Sequence, residues 1–309
     1  MGRLLLIIFL VKFKTNRYNL LAFSNKVFLT IRKIRLTSEE LLKFLISSNH
    51  DIAKLIPERG MDYEDLCSLY ILDCSPVINS IDEIKLIPKK LANVAESEYC
   101  VTNDFSPAII EECCSYGFFP MALKLWNSHF LTVKYHLYKS IVEFDTLHIP
   151  KSVRRYAKNM RLTFDKNFDL CIDNIHRIYG LNWLYPPLVE GLRALHLGKT
   201  FKIGVHSVEL WEGDELIAGE IGFIVRNVYT SLSGFYLKNC AGNIQMSALG
   251  LFLKANGFAY WDLGMPLPYK RKYGAVNMNR VEYEKLFDKT PLDLLKFPSD
   301  EIDIESFFC

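Results

Sequence analysis

The sequence predicts a mixed α/β fold on three observations. Two runs of strict apolar–polar alternation flank a Gly-Asp turn, helical patterns lie on both sides of them, and half of the 309 residues are apolar. From Pro187 onward the order reads helix, β, β, β, helix, β, a succession that gives a sheet with helices packed on it. The length suffices for two packed domains, and the net charge of +2 means that any basic surface is local.

The elements follow in order. Residues 1–38 carry eight Lys or Arg and no Asp or Glu, with an apolar run from Leu4 to Val11. They read either as an organelle transit peptide or as a basic element of the folded protein. The next stretch, LTSEELLKFLISSN, has Thr37 or Ser38 as cap, acids in its first turn and Leu41, Leu42, Phe44 and Leu45 as a packing face. It opens an accessory helical region, 39–98, broken by Pro57, Pro76 and Pro88. A small mixed domain, 99–147, comes next and is rich in aromatic residues. HIPKSVRRYAKNMR (His148 to Arg161) is expected to be a helix with Pro150 in its first turn. A second helix carries Phe168, Cys171, Ile172 and Ile175 on one face and stops at Gly180, and a third covers Pro187 to Leu197. After the hairpin come a strand at Tyr229 to Leu237, a helix at Asn243 to Asn256 ended by Gly257, and a strand at Phe258 to Leu263. Residues 148–288 thus form the main domain, and 289–309 an acidic tail expected to be peripheral.

Eight cysteines, at 67, 74, 100, 113, 114, 171, 240 and 309, lack C-x-x-C pairing and are expected to be free thiols in a reducing compartment. The seven histidines show no ligand spacing, so no metal is expected. A cytoplasmic location is expected, or an organelle if the leader is a transit peptide. No segment reaches the 18 apolar residues of a membrane span.

VHSVELWEGDELIAGEIGF (Val205 to Phe223) is the expected hairpin, with Gly213-Asp214 as its two-residue turn. An unbroken register puts His206, Val208 and Leu210 on one face with Ile217, Gly219, Ile221 and Phe223. Val205, Ser207, Glu209 and Trp211 then share the other with Ala218, Glu220 and Gly222. Glu209 and Glu220 become near-diagonal neighbours beside Trp211. Two acids and an aromatic ring can hold a cation, an ammonium group or a basic side chain; spacing alone favours a solvated outer face.

Several motifs in order resemble the leucyl/phenylalanyl-tRNA-protein transferase family: YGFFPMA (Tyr116 to Ala122), LHIPKSVRR (Leu147 to Arg155), LTFDKNFD (Leu162 to Asp169), NWL (Asn182 to Leu184), HSVELW (His206 to Trp211), AGEIG (Ala218 to Gly222) and WDLGMPLPYKRKYGA (Trp261 to Ala275). The resemblance implies a GNAT-like acyltransferase domain behind a small N-terminal domain. It implies transfer of an amino acid, Leu or Phe, from aminoacyl-tRNA to a protein N-terminus, which marks the acceptor for N-degron proteolysis. Aminoacyl-tRNA is then the co-substrate, no cofactor is needed, and the protein is expected to be a monomer. By the same resemblance Asp262 accepts a proton from the attacking amine, Trp183 stacks on the donor's terminal adenosine, and Leu249, Phe252 and Phe223 line the aminoacyl pocket. Phe235 stands where the family has an acid, and Gly264 where it has a glutamine. Glu220 and Glu209 therefore become the candidates for holding the acceptor's ammonium.

An aminoacyl ester is already activated, so no covalent nucleophile is required. Positioning, removal of one proton and oxyanion donors are enough. Phosphate contacts are expected from Lys151, Arg154, Arg155 and Lys158, and from Lys270, Arg271 and Lys272. KNCAGNIQ (Lys238 to Gln245) has no Q/R-x-x-G-x-G/A pattern, which argues against coenzyme A. The competing readings are a non-catalytic aminoacyl-tRNA-binding protein and a GNAT-type N-acyltransferase.

Overall fold

The computed structural model of the chain describes residues 75–92, 98–125, 128–198 and 202–308, with Ser68 and residues 71–72. The basic leader, the helix expected at residues 36–49, and Cys67, Cys74 and Cys309 lie outside these. The chain divides into two units, one drawn from residues up to 103 with 123–135, the other from 104–122 and 136–309.

In the first unit a 3-10 turn, Ile81–Leu86, runs into helix α1 (Ile87–Ala92). Strand β1 (Tyr99–Thr102) pairs antiparallel with β3 (Ser128–Lys134). Lys134 is buried there and pairs with Glu98 at 3.5 Å. Strand β2 (Phe119–Leu125) carries the chain between the units.

The second unit begins with helix α2 (Pro107–Ser115), then β4 (Tyr138–Val142), α3 (Lys151–Tyr156) and β5 (Met160–Phe164). Only six residues of the basic segment are helical; from Met160 it is already strand, because Met160, Leu162 and Phe164 alternate into the core. Helix α4 (Phe168–Tyr179) is capped by Asn167, whose side chain accepts from the Leu170 N–H at 3.1 Å, and it ends at Gly180, φ 71°. Helix α5 (Pro186–Leu197) opens on its prolines. The hairpin is β6 (Ile203–Glu212) and β7 (Glu215–Val225), with Gly213 at φ 58° in the turn. Strand β8 (Val228–Tyr236), helix α6 (Ala241–Ala255) and β9 (Tyr260–Asp262) follow, and β8 and β9 run parallel. A 3-10 turn at Pro268–Tyr273, β10 (Val276–Asn279) and helix α7 (Arg280–Asp288) lead to β11 (Ile302–Asp303). The strands form one sheet in the order β10-β4-β9-β8-β7-β6-β5-β11. This is the mixed α/β layout that the sequence predicts.

The hairpin register departs from the expected one. Glu212 faces Glu215 and Trp211 faces Leu216 as expected, but Leu210 faces Ala218 and Val208 faces Glu220. Ile217 is the extra residue of a β-bulge, and beyond a bulge every side chain on the bulged strand changes face. Glu220 therefore lies on the face of Val208 and Leu210, against α6. Glu209 lies on the other with Gly219, whose Cα sits close against Cys171 of α4. Both faces of this sheet are covered, and the solvated outer face favoured by spacing alone does not exist.

The tail is not peripheral. β11 pairs antiparallel with β5, Ile304 and Phe308 join the main core, and the Phe297 ring lies 4.2 Å from that of Phe164. Among the described cysteines, Cys114, Cys171 and Cys240 are free thiols. Among the described residues no helix is long and apolar enough to cross a membrane.

Candidate active site

Strands β8 and β9 pair from Val228/Tyr260 to Thr230/Asp262 and then part. A second bulge, at Leu232, bends β8 at this point: Gly222 faces Ser231, and Ile221 faces Ser233. A parallel pair that separates leaves a wedge, and here it holds a cavity of about 530 Å³. Ser231 to Tyr236 form one wall, the start of α6 (Cys240, Gly242, Asn243, Gln245, Met246) another, and Leu263, Tyr269, Lys270, Lys272 and Tyr273 a third.

Glu220 lies at the buried floor, 4% exposed. Oε1 accepts from the Ser231 hydroxyl at 2.6 Å and from the Tyr229 hydroxyl at 3.0 Å, and Oε2 accepts from the Gln245 amide at 3.1 Å. Ser231 is itself fixed, because its oxygen accepts from the Trp261 indole N–H at 2.9 Å. A carboxylate offers about four lone-pair sites; three are used, and the fourth is on Oε2. Burial raises the carboxyl above the ordinary value of 4.5, opposed by the hydrogen bonds from Ser231, Gln245 and Tyr229 and least by the Lys270 charge. The Lys270 ammonium donates to the carbonyls of Leu263 and Met265. Burial, with Glu220 nearby, also pushes the Tyr269 phenol up to about 12, so it stays a neutral donor.

Of the residues expected at the site, the cavity gathers Glu220, Lys270 and Lys272. Asp262 is elsewhere: fully buried, it pairs through Oδ2 with the Lys139 ammonium at 2.6 Å and accepts from the Gly264 N–H at 2.7 Å. Lys139 also donates to the Gly117 carbonyl at 2.7 Å and sits 3.9 Å from the Tyr283 ring centre. Asp262 is held at the centre of the sheet because β9 has β4 on one side and β8 on the other. Glu209 is likewise enclosed, accepting from Thr163 and Ser207 at 2.6 Å each and from the Asn167 N–H at 3.2 Å. It ties β5, β6 and the start of α4 together. Leu249 and Phe252 pack in the core, Phe223 is buried on the Glu209 face, and none of the three lines the cavity. Trp183 lies outside it too, half-buried, with its ring 5.4 Å from Phe119.

Lys151, Arg154, Arg155 and Lys158 are exposed on and just after α3, and Arg271 is exposed as well. Lys270 is enclosed and unavailable to a phosphate, whereas Lys272 reaches Asn243 Oδ1 at 2.5 Å on the rim. Sequence reasoning missed Ser231, Ser233 and Gln245. The signal for Gln245 was present, a glutamine among the apolar residues of NIQMSALGLF; two serines at period two suggest a shared face, but the bulge at Leu232 puts Ser233 on the other side from Ser231.

The sheet opened at its parallel pair, with a buried carboxylate at the floor of the opening, is the candidate site. The sequence model of the leucyl/phenylalanyl-tRNA protein transferase family matches residues 141–288, just under half of the chain. The leucyl/phenylalanyl-tRNA–protein transferase of Hahella chejuensis is 27% identical over 197 residues, covering 61% of this chain and 80% of that protein. That of Pseudoalteromonas atlantica is 25% identical over 150 residues, covering 47% of this chain and 62% of the relative, under two thirds of its length. Among solved structures, a GCN5-related N-acetyltransferase from Anabaena variabilis matches with TM-score 0.33 at 10% identity, over 64% of this chain and 47% of its own. At that score the assignment rests on the sequence match.

Proposed function

We propose that the protein transfers an amino acid from aminoacyl-tRNA to the N-terminal amine of an acceptor protein, as a tag for N-degron proteolysis. The observation that carries this reading is the cavity between β8 and β9, in a chain whose matched relatives bear that activity in their names. Leucyl and phenylalanyl groups are the donors those names print, and they are the first to assay.

The ester needs no covalent nucleophile. Glu220, oriented by Tyr229, Ser231 and Gln245, is a buried carboxylate with one acceptor position to spare, a counter-charge for a cationic group of a substrate. Tyr269 in the wall is a hydroxyl donor toward a developing oxyanion. Phosphates of the donor stem meet the exposed Lys151, Arg154, Arg155 and Lys158. Asp262, given its ion pair with Lys139, acts here as an anchor of the β9 end and not as the proton acceptor.

The test is a transfer assay with purified protein, labelled aminoacyl-tRNAs and a panel of peptides differing in their first residue. A labelled peptide product is expected. No transfer from any donor to any acceptor refutes the activity.

A further inference from the structure

Resting on the transferase reading, we infer that the cavity selects a basic side chain on the carried amino acid, with Glu220 as its counter-charge. The geometry that points there is a gradient from rim to floor. At the rim stand Tyr236, Tyr269 and Tyr179, which are 58%, 48% and 44% exposed, beside the exposed Lys272. Aromatic faces with cations between them stack bases and meet phosphates, so the rim suits the nucleotide end of the donor. A group tethered there by its ester reaches the floor with its own side chain.

The floor is wrong for an apolar side chain. Glu220 and Gln245 are 4% and 3% exposed, and the Ser231 hydroxyl stands beside them. Seating leucine or phenylalanine on this surface would strip the last water from a carboxylate whose hydrogen-bond partners, Tyr229, Ser231 and Gln245, are all neutral. A guanidinium or ammonium instead fills the remaining site on Oε2 with a charge-assisted bond. Its methylene stem lies along Met246, Leu232 and Leu263, apolar residues of the lining.

The decisive experiment compares Arg-, Lys-, Leu- and Phe-tRNA as donors for the full-length protein, with one acceptor panel throughout. Arginyl or lysyl transfer is expected to exceed leucyl and phenylalanyl transfer at least about tenfold, as for sites whose polar groups are left unmatched by the wrong substrate. Glu220→Gln, which keeps volume and hydrogen bonding, is expected to erase that preference. Faster transfer of leucine or phenylalanine, or an unchanged preference in the Gln variant, overturns the inference while leaving the transferase reading intact. If no donor is transferred, the activity itself fails, and calorimetry with non-hydrolysable arginyl- and leucyl-adenosine amides decides the cavity's selectivity alone. Tighter arginyl binding, lost in Glu220→Gln, supports it; equal or reversed affinity overturns it.

Discussion

Asp262 and Glu220 are buried carboxylates one strand apart in the same sheet, and their partners give them opposite work. Asp262 faces a cation, so removing its charge leaves Lys139 buried and uncompensated. Asp262→Asn is expected to destabilise the protein by about 3–5 kcal/mol, measured by urea denaturation, with transfer falling only in step with the folded fraction. Loss of transfer at unchanged stability would instead return Asp262 to the reaction. Glu220 meets only neutral donors, and burial raises its proton affinity above the ordinary 4.5. The folded protein therefore holds this proton to higher pH than the unfolded chain does. Its contribution to stability is complete below 4.5 and is lost as pH rises through the raised folded value. Only the ionised form can pair with a cationic substrate group, so the acid limb of kcat/KM is expected above 4.5, and Glu220→Gln is expected to remove that limb. A limb unchanged in the Gln variant would show that another group titrates.

Among the elements, the hairpin determines which carboxylate reaches the cavity. Its turn was legible: Gly213-Asp214 between alternating runs carries the chemistry of a two-residue loop, and the strands start where expected. The faces were not, because one bulged residue, Ile217, reverses the parity of β7, and nothing in LIAG marks which residue is extra. Helices α4, α5 and α6 were legible from their apolar faces, Gly180, the prolines at 186 and 187, and Gly257. The short α3 was overread, since a run of basic residues carries no signal for the point at which Met160 begins to alternate into a core. Close strand approach gives a direct test at Gly222, where an added Cβ would lie 2.5 Å from the Thr230 carbonyl oxygen. Gly222→Ala is expected to cost about 1–3 kcal/mol in stability, read as a lower midpoint in thermal or urea unfolding. An unchanged midpoint would mean that β7 and β8 part at no cost there.

Across the whole molecule, what the sequence hid were pairings between distant segments. Lys139 and Asp262 lie 123 positions apart, and no local pattern announces a lysine in a central strand. The tail hid in the same way: its acids suggested exposure, yet Phe297 sits among the rings of Phe164, Tyr229, Phe252 and His206. Phe297→Ala is expected to lower stability by about 3 kcal/mol, followed by denaturant titration of the full chain. No loss would show that the ring packs without consequence. The matched family region stops at residue 288, so this support comes from residues outside it.

β11 also covers the outer side of β5, a strand that would otherwise present unpaired N–H and C=O groups to any neighbouring chain. During synthesis the segment that closes this flank leaves the ribosome only after every other strand of the sheet has emerged. A nascent chain that has not yet reached residue 302 therefore leaves Arg161 and Leu162 on this border of the sheet without their β11 partners.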